Sequence, residues 1–243
     1  MRIPRIHLPR SLASGEAIEF QGSAANHLRV LRLRAGDSLV VFDGAGVSHA
    51  ASVAFVERRR AGIHVGEPVT EGGESPLAVT LAQGVSKGDR MDWSIQKAVE
   101  LGVTAIAPVI AARSVLRDQP DRLARKREHW QAVAVSACEQ CGRNVVPSVG
   151  EPAPLTACLP ALPHAVRVFL DPEAGASVAS LAQTPPRECA LLVGPEGGFT
   201  DDEIAAARDH DFRGIRLGPR VLRTETAGVA ALAALQTLWG DFQ

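Results

Sequence analysis

The sequence predicts an α/β protein with a parallel sheet, preceded by a smaller and mostly β domain. Three observations carry this. From Leu77 onward, short apolar runs alternate with helical patterns, the order that builds parallel strands with crossover helices. Before residue 68, short strand patterns follow one another at close spacing with turn residues between them, which suggests a small barrel. Between the two regions, residues 66–76 are poor in apolar side chains and rich in Gly, Glu and Pro, the composition of a linker. The expected division is therefore 1–68, a linker at 69–76, and 77–243.

In the first domain, 17–20 reads as a strand. A short helix follows from Gly22-Ser23, with Ser23 or Asn26 near its cap. Leu28, Val30, Leu31 and Leu33 form its apolar face, and Arg29, Arg32 and Arg34 point elsewhere. Residues 38–42 are a strand, and Asp43-Gly44 is a hairpin signal. Residues 47–55 and 62–65 complete the set, with Arg58-Arg59-Arg60 at a strand end or turn.

In the second domain, 77–85 is a strand. Residues 89–101 are helical, with Met91, Ile95, Ala98, Val99 and Glu100 wrapping one and a half faces, and Gly102 stops the helix. Residues 103–111 are a strand, and 120–141 a long helix closed by Gly142. The strand at 166–170 ends in Asp171-Pro172. Residues 189–193 are a buried strand, because so short an apolar run closed by Gly194-Pro195 is too brief for a helix. Thr200 caps the next helix, with Glu203 completing a capping box. That helix runs to about His210. Residues 215–217 form a second short strand, and 224–238 an Ala/Leu-rich helix.

Two loops stand out, Gly194-Pro195-Glu196-Gly197-Gly198 and Gly218-Pro219-Arg220-Val221-Leu222-Arg223-Thr224-Glu225-Thr226-Ala227. Glycine lets a ligand approach the main chain, so N–H and C=O groups become the recognition surface. Proline keeps such loops stiff. At the C-terminal ends of neighbouring parallel strands, the two would face one crevice, the usual ligand position in open α/β sheets.

Composition narrows the function. The chain has 243 residues, 46% of them hydrophobic, which is enough for a real core. Only 4% are aromatic and Tyr is absent, so base stacking on rings is a minor resource. Net charge is −1, yet residues 1–68 hold nine Lys or Arg against six Asp or Glu. The basic excess lies where a nucleic-acid partner would be held. There is no run of eighteen apolar residues to span a membrane. Met1-Arg2-Ile3-Pro4-Arg5 lacks the apolar core of a signal peptide. The four cysteines form no disulfide framework in a chain of this length, so a cytoplasmic location is expected.

Several chemistries lack their motifs. No Gly-Lys-Ser/Thr follows a Gly-rich loop, and Gly44-Ala45-Gly46 opens no helix with a third Gly. Cys138-Glu139-Gln140-Cys141 lies in a helical run with no second pair at zinc spacing. No Gly-x-Ser-x-Gly elbow is present.

The two loops together resemble the signature of the SPOUT-class RNA methyltransferases, most closely the small-subunit rRNA (uracil-N3)-methyltransferase family. Further matches are Asn26-His27-Leu28-Arg29-Val30-Leu31-Arg32, Lys87-Gly88-Asp89-Arg90-Met91-Asp92, Lys97-Ala98-Val99-Glu100-Leu101-Gly102-Val103, and Glu139-Gln140 with Arg143. The resemblance runs from about residue 2 to residue 240. It implies an N-terminal PUA-like β-barrel that binds RNA, and a C-terminal SPOUT α/β domain with a trefoil knot. It also implies a homodimer with the active site at the subunit interface, and N3-methylation of one uridine in 16S rRNA of the small ribosomal subunit. S-adenosyl-L-methionine is the implied donor. Its sulfonium is already activated, so no metal is required and catalysis is mostly positioning.

By the same resemblance the donor pocket falls on Leu170, Val193, Gly194, Pro195, Glu196 and Gly197. From the second loop it takes Leu217, Gly218, Leu222, Arg223, Thr224 and Ala227. Uracil N3 must lose a proton, so a base or a cation beside the ring oxygens is useful. The catalytic candidates are Arg113, Glu139, Arg143, Arg223 and Glu225. The RNA-binding candidates are His27, Arg29, Arg32, Arg58, Arg59 and Arg60. Donor motifs say little about the acceptor, so another RNA target, or an RNA-binding assembly factor without catalysis, stays open.

Overall fold

The computed structural model describes residues 3–69, 73–114, 120–163, 165–181 and 185–242. The chain divides into two compact units. The first holds residues up to Glu74 together with Cys138–Val146, and the second holds Ser75–Ala137 and Pro147 onward. Residues 138–146, expected with the second domain, thus belong to the first.

The first unit is built on β1 (Arg5–His7), β2 (Ala17–Gln21), α1 (Ser23–Val30), β3 (Ser38–Phe42), β4 (Ser48–Val56) and β5 (Arg60–Pro68). They form a five-stranded mixed sheet in the order β1-β3-β4-β5-β2. The pair β1–β3 is parallel and the other pairs are antiparallel. Ile6, Ile18, Leu28, Leu39, Val41 and Ile63 form its core. The sequence does not announce β1, since three residues with one buried side chain carry no periodicity. The cap of α1 is Gly22, with φ +76° and no side-chain hydrogen bond, not Ser23 or Asn26. Leu28 is fully buried, but Val30 and Leu31 are 67% and 41% exposed. The apolar face expected of this helix is narrower because it has only two turns to offer the sheet.

The second unit contains β6 (Ala78–Gly84), α2 (Arg90–Glu100), β7 (Val103–Ile110), α3 (Pro120–Cys141) as far as Ala137, β8 (Ser148–Val149), β9 (Ala153–Pro154) and α4 (Leu155–Cys158). It continues with β10 (Arg167–Leu170), β11 (Glu188–Val193), α5 (Asp201–Asp209), β12 (Arg213–Ile215) and α6 (Thr224–Trp239). The sheet runs β12-β10-β11-β6-β7-β8, with β9 also on β7, and every pairing is parallel. β11 is buried from Cys189 to Val193, as a strand covered on both faces must be. Phe169, Leu192, Phe212, Leu155 and Leu159 lie in one core cluster.

Three expectations change here. The strand expected at 215–217 is β12 at Arg213–Ile215, so Gly214 lies within it. β10 separates β11 from β12, so the strands feeding the two Gly-Pro loops are not neighbours. Residues 148–158 hold two short strands and a helical turn that no pattern announces. α5 has the expected capping box: Thr200 N–H donates to Glu203 Oε2 at 2.9 Å, and Glu203 N–H to Thr200 Oγ1 at 3.3 Å. No helix among the described residues is long and apolar enough to cross a membrane.

Candidate active site

A cavity of about 830 Å³ opens at the C-terminal ends of β10, β11 and β12, where it meets Leu170, Val193 and Ile215. This is the position a parallel sheet makes available, because the strands end and their connections diverge.

Residues 194–199 form one wall. Gly198 N–H donates to Pro195 O at 2.9 Å, which folds the loop into a turn. Strand β6 presses directly beneath it. A Cβ on Gly84 would lie 2.4 Å from Pro195 N and 2.7 Å from the Gly194 carbonyl carbon. Arg113 clamps the outer side, its Nη1 donating to Gly197 O at 3.0 Å and Phe199 O at 3.2 Å. Arg113 is itself positioned by Glu203, whose Oε1 accepts from Ala112 N–H at 2.7 Å.

Residues 216–224 form the facing wall. Arg216 N–H donates to Ala176 O at 3.0 Å and fixes the start. Gly218 has φ +79°, and a Cβ added there would meet no atom within 4 Å, so the backbone is open to a ligand. Arg223, extended at φ −66° and ψ 151°, leads into α6. The two walls are tied by Thr224, whose Oγ1 donates to Gly194 O and accepts from Gln83 Nε2 at 3.0 Å. Gln83 is 1% exposed.

Charge gathers at one end of the cavity. Glu196 Oε1 accepts from Arg90 Nη1 at 2.9 Å and from Lys87 N–H at 3.1 Å. Burial pushes its carboxyl upward, but backbone N–H groups of Glu196 and Lys87 and the Arg90 guanidinium outweigh this and hold it below the usual range. Glu225 Oε1 faces Arg90 Nε at 3.9 Å. Its Oε2 is buried and has no hydrogen-bond partner.

Of the twelve residues expected at the donor pocket, all but Gly197 line the cavity. Gly197 instead packs against Arg113, whose Cβ would sit 2.8 Å from a Cβ at that position. Arg113, Arg223 and Glu225 also line it. Glu139 and Arg143 do not, and both have partners inside the first unit. Glu139 accepts from His7 N–H at 3.0 Å and pairs with His27 Nδ1 at 2.9 Å. Arg143 is buried and donates to Glu74 Oε2 from Nε and Nη2 at 3.0 and 2.8 Å.

Among the RNA candidates, His27 is therefore held by Glu139, and Arg29 Nη2 donates to Asn26 Oδ1. Arg60 pairs with Glu57 and Glu19 and covers the Phe55 ring. Arg32, Arg58 and Arg59 are exposed. The cavity also recruits Arg90, Asp171, Phe199 and Val221, which sequence reasoning does not select. Arg90 stands inside a matched block, and Asp171 follows a strand end; either signal points to the site. Among the described residues no group of His, Cys, Asp and Glu is arranged to hold a metal. Cys138 is buried and its thiol is pushed up to about 12 by that burial.

Residues 73–236 match the family model described as an RNA methyltransferase domain, and residues 20–61 match an RNA methyltransferase PUA domain. The structure is similar to that of a ribosomal RNA small subunit methyltransferase E from Neisseria gonorrhoeae bound to S-adenosyl methionine, with TM-score 0.95, 40% identity and 100% of both chains covered. It is equally similar to a structure from Legionella pneumophila in complex with the cofactor SAM, with TM-score 0.95, 36% identity and 100% of both chains covered. A ribosomal RNA small subunit methyltransferase E of Buchnera aphidicola is 33% identical over 99% of this chain and 98% of its own length. The parallel α/β unit with its paired Gly-Pro walls, the PUA-type first unit and these full-length likenesses lead to one conclusion: the chain belongs to the ribosomal RNA small subunit methyltransferase E family.

Proposed function

We propose that this protein transfers a methyl group from S-adenosyl-L-methionine to N3 of one uridine in 16S rRNA of the small ribosomal subunit. The observation that carries the reading is the cavity between the 194–199 and 216–224 walls, joined through Thr224 and Gly194. The residues fit the donor. Gly218 offers open backbone, and Leu170, Leu217 and Leu222 offer an apolar lining. When bound, the donor supplies an activated methyl group.

The protein's own work is placement and proton removal. Gly194, Pro195, Glu196, Leu217, Gly218 and Ala227 hold the donor, several of them through the backbone. Arg113 keeps the first wall in shape through the carbonyls of Gly197 and Phe199. Glu225, which lines the cavity, accepts the N3 proton, a step that needs a base within hydrogen-bond reach of the acceptor. Arg223, on the rim, stabilises the negative charge that spreads to the flanking uracil oxygens. The first unit holds RNA through His27, Arg29, Arg32 and Arg58–Arg60. The working form is a cytoplasmic homodimer, with the site at the subunit interface and a trefoil knot in the C-terminal region.

The test is methyl transfer from labelled donor to small subunits taken from cells lacking this enzyme, followed by nucleoside analysis. N3-methyluridine is the expected product. A different methylated nucleoside overturns the acceptor, and failure of both donor binding and transfer overturns the activity.

A further inference from the structure

The wall at 216–224 carries three side chains outside the expected donor set, Arg216, Arg220 and Val221. Arg216, Arg220 and Arg223 all line the mouth of the cavity and are exposed. None of the three makes an ion pair among the described residues, whereas Arg90 on the opposite side is engaged by Glu196. Between Arg220 and Arg223 stands Val221, 80% exposed, the most exposed large hydrophobic side chain among the described residues. The segment is anchored at both ends. Arg216 is pinned through its N–H to Ala176 O and its carbonyl to Val178 N–H, and Ala227 N–H donates to Arg223 O. Pro219 stiffens the span between.

A lone exposed valine needs no explanation. One raised between arginines that have no ion pair among the described residues, at the mouth of a cavity that must admit a base, does have one. A base in folded RNA is stacked and must be extruded to reach a pocket. Extrusion requires the flanking phosphates to be held and the vacated stack to be filled. Cations on phosphates and an inserted apolar wedge are the usual means. In this loop the exposed apolar side chain is aliphatic, Val221.

We propose that Arg216 and Arg220 grip the phosphates flanking the acceptor nucleotide, and that Val221 is the wedge that keeps its base out of the stack. The acceptor strand then lies across the second unit, in addition to the basic face of the first. The proposal rests on the protein's being an RNA methyltransferase, and the measurements below separate the two.

Three quantities are compared in wild type, the Arg216→Ala/Arg220→Ala double variant and Val221→Ser: donor affinity by calorimetry, affinity for unmodified small subunits over a salt series, and kcat. All three substitutions are at exposed positions, and thermal melts check that the fold is kept. The double variant should keep donor affinity and lose RNA affinity. Its slope of log affinity against log salt should become shallower by about 1.4, two phosphate contacts on a single strand at roughly 0.7 each. Val221→Ser should keep both affinities and the salt slope, while kcat falls severalfold. An unchanged salt slope in the double variant overturns the phosphate assignment. Reduced donor affinity also overturns it, by moving these arginines into the donor pocket. An unchanged kcat in Val221→Ser overturns the wedge. Wild-type protein that binds RNA but transfers no methyl would instead sink the proposed activity, and the salt slopes would still report on the loop.

Discussion

Thr224 Oγ1 donates to the carbonyl oxygen of Gly194 at 2.5 Å, joining the first residue of α6 to the first residue after β11. Gln83, from β6, donates to the same hydroxyl at 3.0 Å and to Gly84 O at 3.2 Å. Residues some 140 positions apart in sequence thus set the spacing of the cavity's two walls.

Thr224→Val keeps the shape of the side chain and removes this joint. It leaves the Gly194 carbonyl and one Gln83 N–H unsatisfied in a buried site, at a cost of about 1–3 kcal/mol. Urea midpoints should fall accordingly, and donor affinity by calorimetry should fall further than the melt alone explains. Unaltered donor affinity would show that the walls keep their spacing without the joint.

Gly84 and Gly218 should respond differently to alanine. At Gly84 the new methyl group meets Pro195 N at 2.4 Å. Backbone must move, so a loss of about 1–3 kcal/mol is expected, with donor binding abolished. At Gly218 the methyl group meets nothing within 4 Å, but φ is +79°. The cost there is the left-handed conformation, about 1–2 kcal/mol, and the methyl group enters the donor's space. Denaturant melts with and without donor separate the two: donor should no longer stabilise either variant, but apo Gly84→Ala should be the less stable.

Arg143 lies in the first unit and is paired there with Glu74. Glu74 Oε2 takes two of its N–H groups, and Glu74 Oε1 takes Val145 N–H at 3.0 Å and Asn144 N–H at 3.1 Å. Arg143→Met should cost roughly 1.5–3 kcal/mol, the worth of charged hydrogen bonds. The kcat of the folded fraction, measured at low temperature with saturating donor, should be unchanged. A large fall in kcat with normal stability would return Arg143 to the catalytic set.

The pH dependence of stability should carry the mark of His27. Its hydrogen bond to Glu139 raises its pKa above the ordinary 6.5, against the opposing effect of burial. A group raised on folding contributes fully below its unfolded pKa, and that contribution is lost as pH rises through the folded value. His7, lowered chiefly by burial, acts in the opposite sense and loses its contribution as pH falls below 6.5. His27→Gln should therefore abolish the decline in stability on the alkaline side and leave the acid-side decline in place. Urea midpoints across both sides of 6.5 measure this; a decline surviving on the alkaline side would assign it to another group.

Local chemistry determined most of the elements. α3 at Pro120–Cys141 and β3 at Ser38–Phe42 have the predicted bounds, because Pro, Gly and apolar period act within a few residues. Thr200 and Glu203 declare the start of α5 for the same reason: the capping box closes over three positions. The residues that line the cavity are legible because each of the two Gly-Pro loops is contiguous in sequence.

What spans the chain was decided by tertiary structure. The insertion of β10 between β11 and β12 depends on which strands share a sheet, and no periodicity encodes that. Residues 138–146 belong to the first unit because Glu139 and Arg143 find His27 and Glu74 there, pairings between residues far apart in sequence. Glu139 and Arg143 read as site residues in the sequence because charged groups near a helix end are equally suited to a cavity and to a buried ion pair. Arg90 joins the cavity because Glu196 Oε1 comes within 2.9 Å of it. Sequence specifies which groups exist and how each short segment folds; only the closed chain settles which charges are neutralised by a neighbour, as Arg90 is by Glu196.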